Sequence, residues 1–248
     1  MNREVEKINP YDGDTRGKTS QVRDMFDSIA PAYDFMNRAM TLGVDRAWRR
    51  KAVEMAAQGA PASILDLATG TADLAIALAR RLPDACVTGA DLSERMIEAG
   101  RVKVSRAGLD SRVTLQVADG LHLPMPDSTF DCITIAYGIR NFASMLDGYR
   151  EMWRVLRPGG RIVVLELSTP TNPMALALYN IYTRTLIPAV GRLVSHDCRA
   201  YSYLPESVRA VAQGERMTAL MTEAGFTGAR FHRLTFGSCT IYTATKPA

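Results

Sequence analysis

The chain is poor in the residues that staple or ligate. Its 248 residues hold four cysteines and three histidines. Cys86, Cys132, Cys198 and Cys239 are scattered, with no C-x-x-C pair, which argues against a disulfide framework and a zinc ribbon alike. His122 and His232 show no metal-ligand spacing, and neither G-x-S-x-G nor H-E-x-x-H occurs, so hydrolase and zinc-protease chemistry has no support and no metal is expected. No run of about 18 apolar residues exists to span a membrane. The opening Met1-Asn2-Arg3-Glu4 lacks a signal-peptide core. A cytoplasmic protein of a reducing compartment is expected. Charge is nearly balanced, with 30 basic against 26 acidic residues and a net +4, too small an excess to predict a nucleic-acid partner. Repeats and low-complexity segments are absent. What remains is ordinary globular composition, 47% hydrophobic and 23% charged, in a chain long enough to bury a core without staples.

Residues 1–18 are polar and aperiodic and are expected to form a mobile tail. Within them Gly13, Gly17, Lys18 and Thr19 nearly spell a phosphate-binding loop, but the spacing is one residue short and no strand precedes it. Residues 19–248 read as one domain. Val22, Met25, Phe26 and Ile29 fall at i, i+3, i+4 and i+7, and a second helical stretch runs from Asp45 to Ala57, so 19–58 form a helical cover. Its Arg49-Arg50-Lys51 run is expected on a solvated face. Short apolar runs then alternate with helical segments: Ile64–Ala68, Cys86–Ala90, Val113–Val117, Cys132–Ala136 and Ile162–Leu167. That rhythm predicts an α/β doubly wound sheet of about seven strands, mostly parallel. Arg157-Pro158-Gly159-Gly160 suits a type II turn feeding the last of these strands. Residues 169–205 break the rhythm and are expected to form an inserted helical lid. Ala229–Phe236 and Cys239–Thr245, with Gly237-Ser238 between them, predict a closing antiparallel hairpin.

The first strand runs into Asp66-Leu67-Ala68-Thr69-Gly70-Thr71-Ala72-Asp73. Small residues between a strand and a helix let a ligand approach the backbone. The G-x-G-x-x-G positions are filled by Gly70, Ala72 and Ala75, a poor dinucleotide match. Asp66 and Asp73 flank the loop, and negative charge there favours a sulfonium or ammonium over a pyrophosphate. Asp91 ends the second strand, where a carboxylate can accept from ribose hydroxyls. Asp119-Gly120 follow the third, where Asp119 either accepts from an adenine amino group or caps a short helix.

These features, with Phe130-Asp131 and Arg157-Pro158-Gly159-Gly160, resemble a class I S-adenosylmethionine-dependent methyltransferase. Three further motifs are more specific. Phe26-Asp27-Ser28-Ile29-Ala30 with Tyr33-Asp34 and Met36-Asn37, then Tyr137-Gly138-Ile139-Arg140-Asn141, then Tyr201-Ser202-Tyr203-Leu204-Pro205-Glu206-Ser207 resemble the ubiquinone/menaquinone biosynthesis C-methyltransferases over residues 20–246. The chain departs from that pattern at Ala136, where many relatives carry serine, and at Ala72, where they often carry glycine, a change expected to be harmless. The resemblance implies S-adenosylmethionine as cofactor and a candidate binding set of Asp66, Gly70, Thr71, Asp91, Leu92, Asp119 and Gly120. It implies C-methylation of a polyprenylated quinol, demethylmenaquinol first and a methoxy-polyprenyl benzoquinol second. A different lipophilic acceptor, or a non-catalytic lipid-binding subunit of the same fold, are the competing functions.

A neutral phenol is a weak carbon nucleophile and titrates near 10, so a site for this reaction needs a proton acceptor, a cation for the phenolate, or both. Arg140, Asn141, Tyr33, His196 and Asp197 are the candidates; Arg140 suits the phenolate and equally an ion pair, and His196 or Asp197 could take the proton. A polyprenyl tail is insoluble in water, so transient contact with the inner face of a membrane is expected. Residues 174–194 are rich in Leu, Ile and Val but broken by Arg184, Pro188 and Arg192, which suits an interfacial segment. A lid packed on the core, or a contact within a homo-oligomer, are the alternatives.

Overall fold

The computed structural model describes residues 4–11, 13–194 and 198–248. Among them, short α1 (Glu4–Lys7), α2 (Lys18–Ile29), α3 (Tyr33–Thr41) and α4 (Asp45–Ala56) precede β1 (Ser63–Leu67). Pro31 ends α2 in a 3-10 turn, as a missing amide donor requires. The alternating section follows as α5 (Asp73–Arg81), β2 (Cys86–Asp91), α6 (Glu94–Arg106), β3 (Val113–Val117), β4 (Phe130–Ala136), α7 (Met145–Val155) and β5 (Leu156–Leu167). Then come α8 (Pro173–Val194), α9 (Cys198–Ala210), α10 (Glu215–Glu223), β6 (Thr227–Leu234) and β7 (Cys239–Thr245).

The strands form one sheet in the order β3-β2-β1-β4-β5-β7-β6, parallel except for β7, which runs antiparallel to both its neighbours. Alternation along each strand divides the core into two layers. Leu65, Leu67, Ile133 and Ile135 face α7 and α10, and Ile64, Val87, Cys132 and Val163 face α4, α5 and α6. Strand order reverses between β1 and β4, and ligands of such sheets sit beyond the carboxyl ends at that point. The register sets Asp66 between Gly89 on β2 and Thr134 on β4.

Four expectations change. Part of the stretch expected as a mobile tail is packed: Val5 is fully buried, the Met145 amide donates to Glu6 (2.8 Å), and the buried Lys18 ammonium donates to the carbonyls of Val5 and Arg140. Lys18 is therefore spent on backbone groups of its own chain. The Arg157–Gly160 segment lies inside β5, because Leu156 already pairs with Phe130; Cys132 next pairs with Arg161, so the residues between bulge out. The closing hairpin turns through Thr235–Gly237 as a 3-10 turn plus Ser238, longer than two residues. Arg49 points inward, paired with Asp45 and Asp73 (3.0 Å each), while Arg50 and Lys51 are exposed. A helix carrying three successive cations cannot keep them on one side, and the one that falls beside Trp48 on the inner edge needs these carboxylates.

Candidate active site

Two cavities open at the carboxyl edge of the sheet. The smaller, about 70 Å³, lies between the loops after β1, β2, β3 and β4 and the inner face of α2. Gly70, Asp91, Leu92, Asp119 and Gly120 all line it, as does Asn141. Gly70 holds φ +55°, a left-handed conformation open to glycine, and its amide donates to Asp91 Oδ2 (2.8 Å). The Ser93 amide donates to Asp91 Oδ1 (2.9 Å), so the carboxylate that faces the cavity also clamps the loop. Burial raises its pKa. Asp119 Oδ1 accepts from the Leu121 amide (2.9 Å), an Asx turn that aims the carboxyl at the cavity rather than capping a helix. At Gly138 a Cβ would lie 2.5 Å from that of Ala68, so the missing side chain lets the fourth loop pack against Ala68 of the first.

Asp66 and Thr71 sit apart from that cavity, in a small recess with Tyr33, Arg49, Asp73 and Tyr137. Asp66 is buried beneath the loop and accepts from the hydroxyls of Thr69 (2.6 Å) and Thr134 (2.7 Å); burial pushes its carboxyl up to about 6. The Thr71 hydroxyl donates to Asp34 on α3 (2.6 Å) and accepts from Lys103 on α6 (3.0 Å). Asp73 is paired with Lys103 and Arg49. The expectation that Asp66 and Asp73 present free negative charge to a cation therefore fails: one is buried and hydrogen-bonded, the other neutralised. Ala72 holds φ +65°, so alanine in place of glycine carries left-handed strain and is not a neutral change.

The larger cavity, about 390 Å³, is enclosed by α2, α3, α4, α8 and α9 and is mostly apolar, with Met25, Met36, Met40 and Trp48 among its walls. Tyr33 and Tyr137 line both cavities and the recess, so the three spaces meet at these two rings. Burial raises both phenols above their ordinary range, which keeps them protonated and makes them donors rather than bases. Tyr137 has φ +59°, and its carbonyl accepts from Arg140 Nη1 and Asn141 Nδ2. Arg140 is buried in the same wall. Burial opposes its charge, but Glu166 on β5 lies 2.8 Å from Nη1 and holds the guanidinium protonated. Asn141 Oδ1 accepts from the Tyr203 hydroxyl on α9 (3.1 Å).

Among the described residues, five buried side-chain polar atoms lack a hydrogen-bond partner: Asn37 Nδ2, Tyr137 Oη, Arg140 Nε, Tyr182 Oη and Asp45 Oδ2, the last compensated by its ion pair with Arg49. All five belong to walls of the larger cavity. Such groups are costly unless something else satisfies them, so the distribution marks a polar headed ligand in an apolar chamber. His196 and Asp197 lie outside the described residues. Sequence reasoning missed Glu166, Lys103 and the inward role of Arg49. Glu166 was legible as a lone carboxylate inside the apolar run Ile162–Leu167, a position that demands a buried partner.

The sheet order, the glycine-bearing loop after β1 and the acidic ends of β2 and β3 define a class I S-adenosylmethionine-dependent methyltransferase fold. The solved S-adenosylmethionine-dependent methyltransferase SibL has this fold, with a TM-score of 0.60 and 24% identity over 83% of this chain and 57% of SibL. The demethylmenaquinone methyltransferase of Bacteroides fragilis is 46% identical over 99% of this chain and its own full length. The ubiquinone/menaquinone biosynthesis C-methyltransferase UbiE of Geobacter sulfurreducens is 44% identical over 92% of this chain and 90% of its own. Residues 14–246 match the ubiE/COQ5 methyltransferase family, and the chain belongs to it.

Proposed function

We propose that the chain transfers a methyl group from S-adenosylmethionine to a ring carbon of a prenylated quinol, with demethylmenaquinol as the acceptor. The observation that carries this is an apolar chamber of about 390 Å³ that meets the smaller cavity at Tyr33 and Tyr137, with the charged Arg140 buried in the chamber's own wall beside Tyr137. Family membership and the relatives' names support the same acceptor.

The smaller cavity fits S-adenosylmethionine in its donors and acceptors. Asp91 would accept from the ribose hydroxyls, Asp119 from the adenine amino group, and the close backbone at Gly70 and Gly120 would admit the ligand. When bound, S-adenosylmethionine supplies a methyl group already activated on a sulfonium. The protein then has to orient the ring, exclude water and favour the phenolate. Arg140, held by Glu166, places a fixed positive charge beside the ring and lowers the energy of the phenolate oxygen. Asn141, oriented by Tyr203, can hydrogen-bond that oxygen, and Tyr33 closes the ring from the α3 side. His196 and Asp197, outside the described residues, are the proposed proton acceptors. Residues 19–58 and 169–205 act as the covers of the chamber.

The test is to compare kcat/KM for demethylmenaquinol and for the methoxy-polyprenyl benzoquinol side by side in one preparation. Turnover of the naphthoquinol, with the benzoquinol slower, is expected. S-adenosylmethionine binding with neither quinol methylated points to another lipophilic acceptor. Absence of S-adenosylmethionine binding points to a lipid-binding subunit.

A further inference from the structure

The exposed large apolar side chains are unevenly spread. Of the nine among the described residues, seven lie on α3, the α3–α4 corner, α8 and the β6–β7 turn. Those same four segments wall the larger cavity through neighbours such as Met40, Tyr179 and Thr235. Trp48 Nε1 donates to Thr235 Oγ1 (2.8 Å), which fastens the β6–β7 turn to α4. The apolar residues therefore ring the mouth of one chamber.

Two of them sit where an apolar side chain is least expected. Leu42, 76% exposed, has φ +52°, and Phe236, 85% exposed, has φ +56°. Left-handed backbone is disfavoured for branched and aromatic residues; at Leu42 it caps α3, whose carbonyls accept from the Leu42 and Gly43 amides, but the side chain stands exposed at the cavity's edge, and Phe236 is exposed outright. On α8, Met174 and Ile181 are exposed on the outer side, Leu178 is exposed at the cavity's edge, and Tyr179, Tyr182 and Thr183 face the cavity. A helix apolar on both sides has a second environment to meet.

Charge selects that environment. Residues 35–53 contain five cations and a single acid, Asp45, which is buried against Arg49. Residues 173–194 and 226–245 contain no Asp or Glu and carry Arg184, Arg192, Arg230 and Arg233. Arg38 and Arg46 lie within four residues of Leu42. Asp34 on α3 is paired with Lys103, and the exposed Arg38 and Arg46 flank Leu42, so the apolar rim carries a positive charge that matches the anionic head groups and upper acyl region of a lipid bilayer. Among the described residues no helix is long and apolar enough to cross a membrane, so the contact is with the surface.

We infer that Leu42, Val44, Phe236 and the outer stripe of α8 form a rim that seats on an anionic bilayer, with the chamber mouth facing the lipid. The inference rests on the proposed quinol acceptor for its purpose: a tail confined to the bilayer enters directly from it. A protein partner on the same rim would cover the mouth.

The experiment is flotation of the full chain with phosphatidylcholine vesicles, with and without phosphatidylglycerol, for the parent and for a Leu42→Gly/Phe236→Gly variant. Glycine relieves the left-handed strain, so the variant is expected to unfold at the same or a higher temperature while its affinity for the phosphatidylglycerol vesicles falls at least tenfold. A Met174→Gln/Ile181→Gln variant, which leaves the two turns intact, should lose binding likewise. The inference is overturned if the parent ignores both vesicles, if both variants float as the parent does, or if sedimentation shows a parent dimer that the variants break without any vesicle binding. The readout needs no methyl transfer, so a parent that floats but methylates no quinol would overturn the function and leave the rim standing.

Discussion

Arg140 illustrates how far a single residue's role depends on what is packed against it. Its guanidinium and Glu166 form a buried pair, and breaking such a pair costs about 3–5 kcal/mol because one charge is left uncompensated. Arg140→Ala would therefore confuse lost stability with lost catalysis. Arg140→Lys keeps the charge on Glu166 but gives up the planar fork and Nε, the donor without a partner. The expected result is a folded protein with S-adenosylmethionine affinity within a factor of about three of the parent and a single-turnover rate at least about tenfold lower. An unchanged rate would reduce Arg140 to a structural ion-pair partner. Asp91→Asn is the matching test at the other cavity. Loss of charged hydrogen bonds there should weaken S-adenosylmethionine binding about tenfold or more by calorimetry. An unaltered dissociation constant would remove Asp91 from the binding set.

Among the elements, α3 is held by charge. Asp34 bonds Thr71 and Lys103, and Lys103 also reaches Asp73, so the helix that carries Tyr33 is tied to the loop after β1 and to α6. Lys103→Met should free α3: its amides should exchange with deuterium faster, and KM for the quinol should rise more than the dissociation constant for S-adenosylmethionine. Equal exchange in both proteins would show that packing alone holds the helix. The sequence made the sheet legible because apolar runs at β1 to β5 and the β-rich tail each carry a local signal, and because strand ends place Asp91 and Asp119 on one rim by topology alone. The larger chamber was not legible. Its walls join α2, α3 and α4 to α8 and α9, which follow only after the first five strands, and Met36, Trp48, Tyr179 and Tyr203 look like ordinary core residues until α3, α8 and α9 are set over the sheet. The misjudged charges share one cause. Spacing places Asp73 and Arg49 on helices but not beside each other, so their mutual neutralisation had no one-dimensional trace.

For the molecule as a whole, Asp66 gives stability a pH signature of definite sign. Burial lifts its carboxyl from 3.8 to about 6. Between those values the native state holds a proton that the unfolded chain has released, so this group's contribution is fully present below the unfolded pKa and is lost as pH rises through the folded one, to a penalty on the order of 3 kcal/mol at pH 7. Denaturant midpoints of the parent relative to Asp66→Asn should fall from about pH 4 to about pH 6 and level off above it. A constant difference across that window would mean that Asp66 does not keep its proton in the folded state. The function itself turns on where the methyl group goes. The most direct measurement is carbon NMR of the product formed from short-chain demethylmenaquinol and S-adenosylmethionine labelled with carbon-13 in its methyl group. A chamber that holds the ring face to the smaller cavity, with its oxygen on Arg140, predicts a single labelled methyl bonded to the ring carbon next to a hydroxyl. Label on a quinol oxygen, or no labelled quinol while the cofactor remains bound, would contradict it.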